Sequence, residues 1–159
     1  MLKTLFTYLV FFLLAPTVTT AQTKQKAETA FLAELNKIIN NSKEQHWAYK
    51  GVMTIDSAFA INKKDELSVT VRYTEDNDVV IARMVAPIKR KMRVAYDLYL
   101  ILEYNDNYIS AYETAKNSTY LKELEKTNYF HIGVPLYEGY EQQEKLQKLL
   151  DNLLKYYKN

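Results

Sequence analysis

The chain has 159 residues, 48% of them apolar, no cysteine and a formal net charge of +2. The lack of cysteine excludes disulfides, thiol catalysis, cysteine-ligated zinc and iron–sulfur clusters. The near balance of 21 Lys and Arg against 19 Asp and Glu argues against nucleic acid as a partner, because phosphate binding draws on a concentrated basic surface.

Met1-Leu2-Lys3-Thr4 is a short basic start, Leu5 to Leu14 a mostly apolar run, and Thr19-Thr20-Ala21 a small-residue end before Gln22. This is the three-part pattern of a cleaved export signal. At about 1.5 Å per residue the apolar run falls short of the ~30 Å hydrocarbon core of a bilayer. The reading is a signal peptide over residues 1–21 and one globular α+β domain over residues 22–159. That domain is expected in the periplasm or secreted, with no stable membrane insertion once the signal is removed. Without cysteine there is no cysteine-linked lipid anchor.

From Thr23 to Ser42, Ala27, Ala30, Phe31, Leu35, Ile38 and Ile39 recur at helical spacing with charged and amide side chains filling most of the gaps, and Asn40-Asn41-Ser42 is the stop. The period then changes to two. Val52–Ile61 puts Met53, Ile55, Phe59 and Ile61 on one side, and Leu67–Thr74 alternates Leu67, Val69, Val71 and Tyr73 with polar residues. Val79–Ala86 is apolar on both faces apart from Arg83, which suits a central or doubly covered strand. A long fourth strand spans Met92 to Tyr104 and a fifth Tyr108 to Glu113. Asn62-Lys63-Lys64-Asp65, Asp76-Asn77-Asp78 and Asn105-Asp106-Asn107 separate these runs; Asn and Asp accept the left-handed conformations of tight turns, so the meander needs little glycine.

A short helix is predicted over Tyr120–Glu125, irregular chain over Asn128–Gly139, and a C-terminal amphipathic helix over Glu141–Tyr157 with Leu146, Leu149, Leu150, Leu153, Leu154 and Tyr157 on one stripe. Its polar face mixes both charge signs, which favours a sheet over lipid as its cover. The fold class is therefore α+β: an N-terminal helix, a five-stranded antiparallel meander, a short helix and a long C-terminal helix packed on the sheet. A pleckstrin-homology-like half-barrel is the alternative layout.

No catalytic constellation emerges. Gly51, Gly133 and Gly139 stand in unrelated contexts, so no phosphate-cradling loop is present. The two histidines, His46 and His131, lack zinc-motif spacing, and no serine sits in a nucleophile turn. Asp97 and Glu103 lie on one side of the long fourth strand, roughly 20 Å apart at ~3.3 Å per residue, too far for paired-carboxylate chemistry. The chain reads as a non-enzyme with no metal and no cofactor. Lys89-Arg90-Lys91 with Arg93 reads as a solvated turn. Asn117-Ser118-Thr119 and Asp56-Ser57-Ala58 match short glycosylation acceptor patterns that support no function by themselves.

Fourteen tyrosines mark a Tyr-rich sheet or a recognition surface. The candidate binding residues are Arg93, Asp97, Tyr99 and Glu103 on the odd face of the fourth strand, extended by Arg72 and Arg83. The functional expectation is an exported, non-enzymatic binding module that recognises a protein, peptide or envelope component through this aromatic-rich surface, in the manner of inhibitors and immunity proteins. The alternative is a carrier of small apolar ligands, with a pocket between sheet and C-terminal helix at Tyr96, Leu98, Leu100 and Leu153.

Overall fold

In the computed structural model, which describes residues 23–42 and 52–157, the period-two runs form two antiparallel sheets and the two helical stripes form the helices expected at each end. Helix α1 covers residues 23–41 and ends at the Asn40-Asn41-Ser42 stop. The strands are β1 (Val52–Ile61), β2 (Glu66–Glu75), β3 (Asp78–Pro87), β4 (Met92–Asp97), β5 (Tyr99–Tyr104), β6 (Ser110–Thr114), β7 (Leu121–Glu123) and β8 (Tyr129–Gly133), and helix α2 (Gly139–Leu154) follows. The α+β class stands. The leader, His46 and Gly51 lie outside the described residues.

The larger sheet has the order β1-β2-β3-β6-β7, so β3 is central, as its two apolar faces imply. Its inner face pairs Leu67 with Ala86, Val69 with Met84, Val71 with Ala82 and Tyr73 with Val80. Strand β1 keeps Met53 and Phe59 buried although its register slips twice, between Ile55 and Ser57 and between Ser57 and Ala60. Two one-residue slips cancel in parity, so the expected face survives. Asp65, Asp76 and Asn117 adopt positive φ at the turns, the conformation for which Asp and Asn are suited.

Three expected details are corrected. The fourth strand is a hairpin: Leu98 takes φ 62° and the chain folds back, pairing Met92 with Tyr104, Val94 with Leu102 and Asp97 with Tyr99. This hairpin leaves the meander and forms the second sheet, of order β4-β5-β8. Tyr120–Glu125 is not helical; Leu121–Glu123 pairs with β6 as β7, and Tyr129–Gly133, expected to be irregular, is β8. Leu, Lys and Glu are helix formers, but the open edge of β6 offers this short segment backbone partners that a one-turn helix lacks.

Helix α2 packs on β4 and β5. Gly139 starts it because a Cβ there would come within 2.1 Å of the Tyr96 ring. One apolar cluster unites both helices and both sheets, and the Phe59 and Phe130 rings, 5.6 Å apart, join the sheets across it. Each helix also closes a sheet edge with side-chain amides. On β1, Asn36 accepts from the Phe59 N–H at 2.7 Å and donates to its carbonyl at 3.0 Å. On β4, Gln147 accepts from the Val94 N–H at 2.7 Å while Gln143 donates to its carbonyl at 3.0 Å.

Candidate functional site

The hairpin moves the sequence-predicted site residues. Arg93 and Glu103 become cross-strand partners, with Arg93 Nη2 2.6 Å from Glu103 Oε2 and Nε donating to the same oxygen at 2.7 Å. Asp97 is exposed beside the turn and sees water directly. Four residues of ladder now separate it from Glu103, about 13 Å rather than 20 Å, still outside paired-carboxylate range. Arg72 and Arg83 belong to the other sheet and do not extend this face; Arg72 is held bidentately by Asp56 at 3.0 and 2.7 Å. Arg93 and Glu103 border a shallow recess at the start of the hairpin, whereas Tyr99 borders the cavity between the sheets.

That cavity is a cleft of about 460 Å³ between the inner face of the larger sheet, the end of α1 and β8. Met53, Val69, Val71, Met84, Ile132 and Val134 give it apolar walls. Ala82 and Ala111 create much of the space, because the inner face of the sheet carries valine, methionine and tyrosine at neighbouring positions. Polar groups border it from five elements: Glu113, which shares the inner face of β6 with Ala111; His131 on β8; Tyr99 on β5; Arg83 on β3; and Ser42 at the end of α1. Burial lowers the His131 pKa below its ordinary value, so near neutral pH the ring is uncharged. Gly133, at φ 146°, lets the backbone approach α1 at the cleft margin: a Cβ there would meet Ser42 Oγ at 2.2 Å, and that hydroxyl accepts from the Val134 N–H at 2.7 Å.

The pocket expected between sheet and C-terminal helix does not form at the residues named for it. Leu100 and Leu153 are fully buried core, Tyr96 rests on Gly139, and Leu98 is 76% exposed at the hairpin tip. The cleft was missed because its walls come from strands that are neighbours only after folding; the small residues Ala82 and Ala111 within otherwise bulky strands are the trace it leaves in sequence. Among the described residues no cluster of three or more His, Asp or Glu could hold a metal ion, and no helix is long and apolar enough to cross a membrane. Comparison with protein-family models, curated proteins and solved structures finds no match.

Proposed function

We propose that this protein is an exported, non-enzymatic binding module that holds a small, largely apolar ligand in the cleft between its sheets. The observation that carries the reading is the cleft itself: about 460 Å³, apolar on most of its wall, with a few polar groups converging on it. Its size and composition are those of small-molecule sites, which run from about 300 to 1,000 Å³ with a few polar groups placed to orient the ligand. Export rests on the leader pattern of residues 1–21.

Filling the cleft tests this. Ala111→Phe projects a ring into the space from β6, and binding of an apolar fluorescent probe such as N-phenylnaphthylamine is expected to weaken about tenfold or more, a loss of ~1.4 kcal/mol. Native mass spectrometry of protein taken from its own host should show excess mass that organic solvent removes from the wild type and that Ala111→Phe lacks. Unchanged probe affinity in a folded variant rejects the reading.

A second reading, recognition of a protein or peptide, is favoured by the hairpin tip. There Leu98 is 76% exposed, Tyr140 68% and Tyr137 41%, with the Tyr96 and Tyr140 rings edge to face at 5.3 Å. Asp97 lies next to Leu98 and Tyr99 follows it, so the apolar tip has a charged neighbour, as interface anchors do. If this tip is the binding surface, Leu98→Asp and Asp97→Ala abolish capture of an envelope partner while leaving probe binding in the cleft intact.

A further inference from the structure

The end of the molecule opposite the β4–β5 tip is built from two loops distant in the chain. Residues 62–65 join β1 to β2 and residues 88–91 join β3 to β4, and the Ile88 N–H donates to the Asp65 carbonyl at 2.9 Å. That contact gathers Lys63, Lys64, Lys89, Arg90 and Lys91 at one end. Lys63, Lys64, Arg90 and Lys91 are exposed, and the Lys89 ammonium sits 3.6 Å over the Tyr108 ring. Lys64, Lys89 and Lys91 border a recess of about 490 Å³ with Tyr108 and Tyr157.

This end also carries acids: Asp106 is exposed on the loop that borders the recess, and Asp65 and Glu66 bond neighbours other than the five cations. Asp65 lies 3.0 Å from Lys24, which is also 3.7 Å from Glu28, and Glu66 accepts from the Asn62 amide at 2.8 Å. None of the five cations forms an ion pair among the described residues. The cations outnumber the acids at this end, and gathering like charges opposes folding through self-repulsion. At the opposite end Asp97, Glu138 and Glu141 are exposed, while Glu144 lies 3.8 Å from Lys148 and Lys145 pairs with Glu34, so acids outnumber cations there.

We infer that the basic end docks the protein on the phosphate-bearing headgroups of an anionic lipid surface. The cations sit on two loop tips at one end, a footprint suited to a plane rather than to a polyanion running along the molecule. The acidic opposite end would repel a wrapped nucleic acid and points away from a membrane. None of the exposed large apolar side chains lies on these two loops, so adsorption is electrostatic and without insertion. This inference is independent of the cleft.

Co-sedimentation with vesicles of phosphatidylcholine alone and with ~30% phosphatidylglycerol tests it. Binding is expected only to the anionic vesicles and should fall as salt screens the charges. At about fivefold per cation, Lys89→Gln/Arg90→Gln/Lys91→Gln lowers the partition coefficient roughly a hundredfold and Lys63→Gln/Lys64→Gln roughly twenty-fivefold. Lys148→Gln on α2 leaves it unchanged, and all variants keep the cleft's affinity for an apolar probe. Equal binding to neutral vesicles, unchanged binding of the triple variant, tighter binding to DNA than to vesicles, or saturable binding of inorganic phosphate without vesicle binding overturns the inference.

Discussion

Leu98 occupies a backbone conformation that costs a bulky L-residue about 1–2 kcal/mol, and its side chain, 76% exposed, recovers little of that by burial. Glycine holds the same φ without the Cβ clash but loses more entropy on folding. Leu98→Gly is therefore expected to raise unfolding stability by about 0.5–1 kcal/mol, read as a higher urea midpoint at unchanged slope. A lower midpoint would show that Leu98 contributes contacts its exposure does not suggest. The same residue explains the main misreading of the sequence. The hairpin pairs even residues with even and odd with odd, so folding at Leu98 preserves the alternation of a continuous strand. Alternation reports faces, not direction. Where the turn residue was Asp or Asn, as at Asp65 and Asp76, the turn was legible. At Asn117 the third such residue occupies a glycosylation-like triplet, yet its side chain serves the turn, accepting from the Val79 N–H at 2.9 Å and donating to Asp78 at 3.1 Å.

Among elements, the exposed edges of the sheets are the places where a strand-rich chain of this size risks pairing with other molecules. The β1 edge is broken by two bulges and held by Asn36; the β4 edge is held by Gln143 and Gln147. In each case a helix presents amides where a neighbouring strand would present its backbone. Removing them leaves backbone groups of Phe59, itself 3% exposed, and of Val94, likewise 3% exposed, without partners. At about 1 kcal/mol per lost hydrogen bond, Asn36→Ala costs ~2 kcal/mol and Gln147→Ala ~1 kcal/mol. Hydrogen exchange should locate the effects: the Phe59 amide loses protection in the first variant and the Val94 amide in the second, while the amide of Val71 in β2 changes only with global stability. In sequence these residues looked like polar filler. Helical periodicity identifies which positions face away from the apolar stripe, but not that such a position meets a strand edge.

On the scale of the whole molecule, α1 ties together segments that are far apart in the chain. It reaches the β1–β2 turn through Lys24 and Asp65, the end of the chain through Glu28 and the Tyr157 hydroxyl, β1 through Asn36, and the β8 terminus through Ser42. Its tie to α2 is Glu34, 7% exposed, which accepts from the fully buried Gln142 amide and lies 2.7 Å from the Lys145 ammonium. Glu34 stands on the buried stripe of Ala27, Phe31 and Ile38, where in sequence it reads as one more charged residue filling a gap; a buried acid needs a partner. Its partners, more than a hundred residues downstream, were not legible, and neither was the cleft that α1 helps enclose. Glu34→Ala strands the buried Gln142 donor while Lys145, 45% exposed, turns to water. The expected loss is about 2–3 kcal/mol, dominated by the stranded amide rather than by the ion pair. Glu34→Gln keeps an acceptor for Gln142 and should lose only about 1 kcal/mol. Urea denaturation of the two variants separates the contributions. Equal losses would transfer the effect to the Lys145 ion pair, and then Lys145→Met, which leaves the Glu34–Gln142 bond in place, would have to destabilise by as much as Glu34→Ala.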